Sequence, residues 1–205
     1  MVVKNIILDM WPSIWPMLVF ISIVAISVRG AYLFRGSKKF ILHKEFLALV
    51  FILYVLCLYY ILTYNDTSVR GVNFVPFKEM FRYTFGSYKF MKNIVGNILL
   101  FVPFGFFASH YIDTKKVSTP VIVALIVSFS AEAIQYYTGR VFDIDDVILN
   151  VFGGFLGFLL YVALAAIKNR LPNFMKSDSF INFMVIVIVV LIILFSMGIN
   201  VFSYL

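Results

Sequence analysis

Polar side chains interrupt this chain at wide intervals. Between them lie six predominantly apolar runs, at about 11–28, 46–64, 94–112, 119–138, 147–167 and 180–201, each close to the roughly 17 to 25 residues that cover a hydrocarbon core as a helix. In lipid only a helix or a closed barrel satisfies its own backbone hydrogen bonds, so the pattern predicts an all-α, polytopic integral membrane helical bundle with about six transmembrane helices. The first run is the shortest and carries Pro12 and Pro16 near its start. Lys4 and Asp9 make a poor signal-peptide n-region and no small-residue cleavage site follows, so it reads as a retained helix. The largest extramembrane piece is 65–93. Within it Phe77, Met80, Phe81 and Phe85 recur at helical spacing opposite Lys78, Glu79 and Arg82, and Pro76 suits a first helical position. This predicts a short interfacial helix near residues 76–85, with a loop held at the membrane by its aromatics as the open alternative.

Composition narrows the picture further. Of 205 residues 62% are hydrophobic and 13% charged, with a mean hydropathy of +0.99, whereas soluble domains carry about 25% charged residues. A soluble domain, a disordered chain, a collagen and a disulfide scaffold are all excluded. The single cysteine, Cys57, sits in the run LVFILYVLCLYYIL, which permits no internal disulfide and carries no thiol or metal motif. The net charge of +7 implies no nucleic acid, because in a membrane protein basic residues collect in cytoplasmic loops and near anionic head groups. Counting Lys and Arg on alternate sides of the spans gives 10 (residues 29, 35, 38, 39, 44, 115, 116, 168, 170 and 176) against 7 (residues 4, 70, 78, 82, 89, 92 and 140). That bias predicts both termini outside, although the 65–93 segment opposes it in part.

Candidate chemistry lies where polar groups enter the spans, since a charge at mid-membrane costs on the order of 2.5 to 3.5 kcal/mol. Asn93 and Asn97, one helical turn apart, open the third span. Glu132 and Gln135 share a face of the fourth, and Asp145, Asp146 and Asn150 open the fifth. At about 1.5 Å of rise per residue these groups fall near one membrane surface, the outer one by the charge count. The connection from Thr138 to Asp146 adds Arg140 and Asp143. This is a candidate pocket; interhelical hydrogen bonding that merely holds the bundle together is the alternative, and Glu132 favours the pocket because glue needs only a neutral amide. Arg140 either caps the loop by pairing with Asp143, Asp145 or Asp146 or meets a ligand, while Asp145 and Asp146 also suit a helix N-terminus. The acids match no calcium or magnesium loop spacing. His43 and His110 fall on the predicted inner side, so neither a metal nor another cofactor is expected. Gly153 and Gly157 form a GxxxG pattern suited to close helix packing.

Three separated motifs, NFVPF from Asn73, NIVGNILLFVPFGFF from Asn93 and AEAIQYYTGRVFDIDDVILNVFGGFLG from Ala131, resemble the VanZ-like family over about residues 46–165. Carried over by position, the family-pattern residues are Asn73, Pro76, Phe77, Asn93, Asn97, Pro103, Gly105, Glu132, Gln135, Arg140, Asp143, Asp146, Asn150 and Gly153. The resemblance divides the chain into an N-terminal helix with a basic cytoplasmic loop (1–45), a VanZ-like four-helix membrane domain (46–167) and a C-terminal helix (168–205). It also implies the plasma membrane of a Gram-positive bacterium. The family's namesake is associated with lowered susceptibility to the lipoglycopeptide teicoplanin. The expected function is therefore an outward pocket, made by Asn73, Asn93, Asn97, Glu132, Gln135, Arg140, Asp143, Asp146 and Asn150, that recognises an amphipathic lipid. The expected partners are membrane lipids and either the lipoglycopeptide antibiotic or a lipid-linked cell-wall precursor, with the phenylalanines of the third span and the interfacial segment holding a tail. An alternative is an enzyme on such a lipid, with Glu132 or Asp146 as general base and Arg140 stabilising negative charge. A scaffold or transporter ranks behind both, for want of an internal repeat or a midplane site.

Overall fold

A computed structural model describes residues 2–35, 40–63 and 71–196. Lys38, Lys39 and Arg70 of the charge count, and the 197–201 end of the sixth predicted span, lie outside them. The described chain runs α1 (Val2–Arg35), α2 (Leu42–Thr63), β1 (Gly71–Asn73), α3 (Tyr88–Phe90), α4 (Gly96–Ile112), α5 (Ser118–Tyr137), β2 (Val141–Asp143), α6 (Ile144–Arg170) and α7 (Asp178–Ser196). Among the described residues six helical segments are long and apolar enough to cross a membrane, and the third of these begins at Tyr88. The all-α reading of the apolar runs therefore holds. The ends shift: α1 and α6 begin earlier than their apolar cores, because a helix continues through polar residues once it reaches the interface.

Contacts divide the chain into two units, Met1–Leu53 with Ile167–Leu205, and Tyr54–Ala166. In the first, Arg29 grips Glu45 through two charge-assisted hydrogen bonds of 2.6 and 2.7 Å. The N-terminal end of α2 is tied to α7, since the His43 backbone N–H and Nδ1 both meet Asn182 Oδ1, at 2.9 and 2.8 Å.

In the second unit the core is Leu58, Leu62, Phe101, Phe104, Ala108, Ala124 and Ala131. Phe101, Phe104 and Phe107 are buried there, so these three phenylalanines of the third span pack the helices together. Helices α4 and α6 cross with backbone against backbone. A Cβ on Gly105 would overlap the Gly154 carbonyl, one on Gly153 the Ile98 carbonyl, and one on Gly157 the Val102 carbonyl. Small residues at a helix crossing permit this approach.

Two features were not visible as apolar runs. β1 and β2 pair in parallel, Gly71 with Val141, Val72 with Phe142 and Asn73 with Asp143, which pairs backbone groups of two connecting segments with each other. The 76–85 segment forms turns and a single 3-10 turn at Met80–Arg82 in place of a continuous helix. The reason is local: Phe77 has φ 66°, a left-handed conformation that a helix cannot pass through, and the amides that follow are taken by a distant carboxylate.

Candidate functional site

Helix α5 ends where Gly139, at φ 95°, turns the chain in a conformation that favours glycine. The turn lets Arg140 N–H donate to the Gln135 carbonyl at 2.9 Å and sends the chain back as β2. Glu132, 1% exposed, accepts the Asp143 N–H on Oε2 at 2.9 Å, so the buried carboxylate braces the strand from beneath. Asp143 Oδ1 in turn accepts from Asn73 Nδ2 and from Asp145 N–H, both at 2.9 Å. Burial holds the Asp143 carboxyl above the usual carboxylate range; the two hydrogen bonds oppose that rise, and the charges of Asp145 and Glu79 add to it.

Asp145 is also 1% exposed. Its carboxylate accepts the backbone N–H groups of Phe77, Glu79 at 2.8 Å and Met80 at 3.1 Å. It therefore caps the turn before the 3-10 segment, in place of the start of its own helix. The next acid, Asp146, accepts from Asn97 Nδ2 at 2.6 Å. Between Phe90 and Gly96 the backbone widens into a π-turn, Met91–Val95, a device that re-aims side chains at functional positions; here it carries Asn93 and Ile94.

These constraints enclose a cavity of about 220 Å³ at one end of the spans, lined by Glu79, Met80, Tyr83, Asn93, Ile94, Arg140, Val141, Asp143, Asp145, Asp146 and Leu149. Four carboxylates and one guanidinium share it, a mixture suited to a ligand with hydrogen-bond donors or a cationic group together with one anionic group. Among the described residues no group of three or more His, Cys, Asp and Glu side chains is arranged to hold a metal ion.

Of the residues singled out from the sequence, Asn93, Arg140, Asp143, Asp145 and Asp146 line this cavity, while Asn73, Asn97 and Glu132 hold those that do. Arg140 Nη1 donates to the Leu62 carbonyl at 3.2 Å, which ties the loop to the end of α2. Gln135 and Asn150 do not line the cavity. Gln135 Nε2 donates to the same Leu62 carbonyl at 2.7 Å, and Asn150 Nδ2 donates to Ser128 Oγ at 2.9 Å, both interhelical. Asn150 Oδ1 is buried without a hydrogen-bond partner. His43 binds Asn182 and His110 stacks on Phe106, each in a packing role. Sequence reasoning missed Glu79 and Tyr83 as lining residues. Their only signal was a polar position on an amphipathic ten-residue window.

Over 161 residues the chain is 29% identical to Protein VanZ of Enterococcus faecium, an alignment that takes in 76% of this chain and 92% of that protein. No solved structure matches the chain. The VanZ/LLP1 family model matches residues 48–167, and that stretch includes all the cavity-lining residues together with Asn73, Asn97 and Glu132, which support them. With more than half of its length so matched, the chain belongs to the VanZ/LLP1 family.

Proposed function

We propose that this multi-pass membrane protein lowers susceptibility to lipoglycopeptide antibiotics such as teicoplanin by binding the head group of an amphipathic envelope lipid or lipid-linked precursor in the acid-and-arginine cavity. The observation that carries the reading is the cavity itself, where Arg140 and four carboxylates converge beside the start of a membrane span. Arg140 would meet a phosphate or carboxylate bidentately. The acids would accept from the amide, hydroxyl or amine groups of the same head group, and the acyl part would stay in the lipid beside the mouth. The reading requires the cavity to face outward, with both termini outside. Labelling of Thr84→Cys, an exposed position of the same segment, in a Cys57→Ser background by a membrane-impermeant maleimide on intact cells tests that orientation.

The direct test is a susceptibility panel in a sensitive Gram-positive host producing wild type, Arg140→Gln or Asp146→Asn at equal membrane levels. Wild type is expected to protect against teicoplanin and to leave vancomycin, which lacks the acyl tail, unaffected. Both variants should lose the protection. Equal protection by the two variants would overturn the pocket reading, and protection against both drugs would overturn the role of the tail. For an enzymatic version of the same site the general base is Asp146, because it lines the cavity whereas Glu132 is spent on the Asp143 N–H.

A further inference from the structure

The stretch between β1 and the third span presents an unusual surface. Phe81 and Phe85 expose 86% and 87% of their area, and Phe85 lies three residues before Tyr88, where that span begins. Rings this close to a membrane-crossing helix sit at the level of the head groups and have an apolar phase within reach. Around them Lys78, Arg82, Lys89 and Lys92 are all exposed. Glu79 is the sole acid from Phe74 to Lys92, and it turns toward Arg82 at 3.1 Å and into the cavity. The exposed side of the stretch is therefore apolar and cationic together.

We infer that this aromatic and basic ledge docks on anionic phospholipid of the leaflet it meets, with Phe81 and Phe85 inserted among the chains and the lysines on the phosphates. The occupant follows from charge complementarity and from continuity with the span. The same chemistry gives these basic residues a local role that explains why they oppose the charge bias of the other loops. The ledge does not depend on what enters the cavity.

The test uses the full chain in lipid nanodiscs, with Trp11 and Trp15 changed to Phe and a single reporter, Phe85→Trp; Phe81→Trp serves as a second reporter. The probes are brominated phosphatidylglycerol and brominated phosphatidylcholine at equal mole fraction. Both should quench the reporter, and the phosphatidylglycerol more strongly, with local enrichment of about fivefold for each lysine engaged, the equivalent of about 1 kcal/mol. Lys78→Gln with Lys89→Gln and Lys92→Gln should reduce that advantage to parity. Asp146→Asn should leave it unchanged, which separates the ledge from the cavity reading. Absence of quenching at both reporters, equal quenching by the two lipids, or an advantage that survives the triple lysine variant would each overturn the inference.

Discussion

Replacing Asp145 by alanine removes a side chain that holds the 77–80 turn against helix α6. Its carboxylate accepts three backbone N–H groups from residues 65 to 68 positions earlier in the chain, and a hydrogen bond to a charged group is worth about 1.5 to 3 kcal/mol. Phe77 is exposed and Glu79 and Met80 only half-buried, so water can recover part of each bond. A loss of about 2 to 5 kcal/mol is expected for Asp145→Ala, confined at first to the turn. Asp145→Asn keeps acceptor oxygen but turns an N–H₂ toward backbone donors, so it should recover less than half. The protein contains its own reporter: Cys57 is its single cysteine and is half-buried, so a thiol-reactive dye reads global melting while hydrogen exchange reads the 77–80 amides. Faster exchange there, with a smaller drop in melting temperature, is the expected pair of results. Wild-type exchange rates at Phe77, Glu79 and Met80 in Asp145→Ala would refute the capping argument outright.

Three further outcomes can be measured. Gly105→Ala forces a Cβ into the Gly154 backbone, where nothing can rotate away, and should cost about 3 kcal/mol or more; Gly30→Ala, with open space around its Cβ, is the control and should be neutral or stabilising by up to about 1 kcal/mol in a thermal melt. Asn97→Ala strips Asp146 of its 2.6 Å amide donor and should destabilise by about 1.5 to 3 kcal/mol, whereas Asn97→Gln, if it reaches, restores part; equal melting of Asn97→Ala and wild type would deny the bond any weight. The pH dependence turns on Asp143, whose carboxyl is raised by burial. Folding then favours its protonated form, so its contribution is complete below the ordinary carboxylate pKa of about 4 and is lost as pH rises through the raised folded value. The melting temperature of wild type relative to Asp143→Asn should accordingly fall as pH increases across that window, and a difference that stays flat would contradict the burial argument.

Membrane character, the number of spans and the set of residues that carry polarity into lipid are properties of local stretches, and the sequence by itself determined them. An apolar run of sufficient length must be a helix there, and each of Asn97, Glu132, Asp146 and Asn150 is conspicuous because it is costly wherever it lies. Which of those residues meet was decided by tertiary structure. Glu132 and Gln135 share a helix face, yet Glu132 braces β2 while Gln135 binds the Leu62 carbonyl, because Gly139 returns the chain over only one of them. Asp145 and Asp146 are neighbours, yet one caps a turn from the other end of the domain and the other faces Asn97. The amphipathic spacing of 76–85 pointed to a helix; the backbone N–H groups there found a buried carboxylate instead, and Phe77 took a left-handed conformation to reach it. Hydrophobic length is summed residue by residue along the chain, whereas loop conformation and cavity lining depend on which distant groups can satisfy a backbone N–H, and that is settled only when the helices have packed.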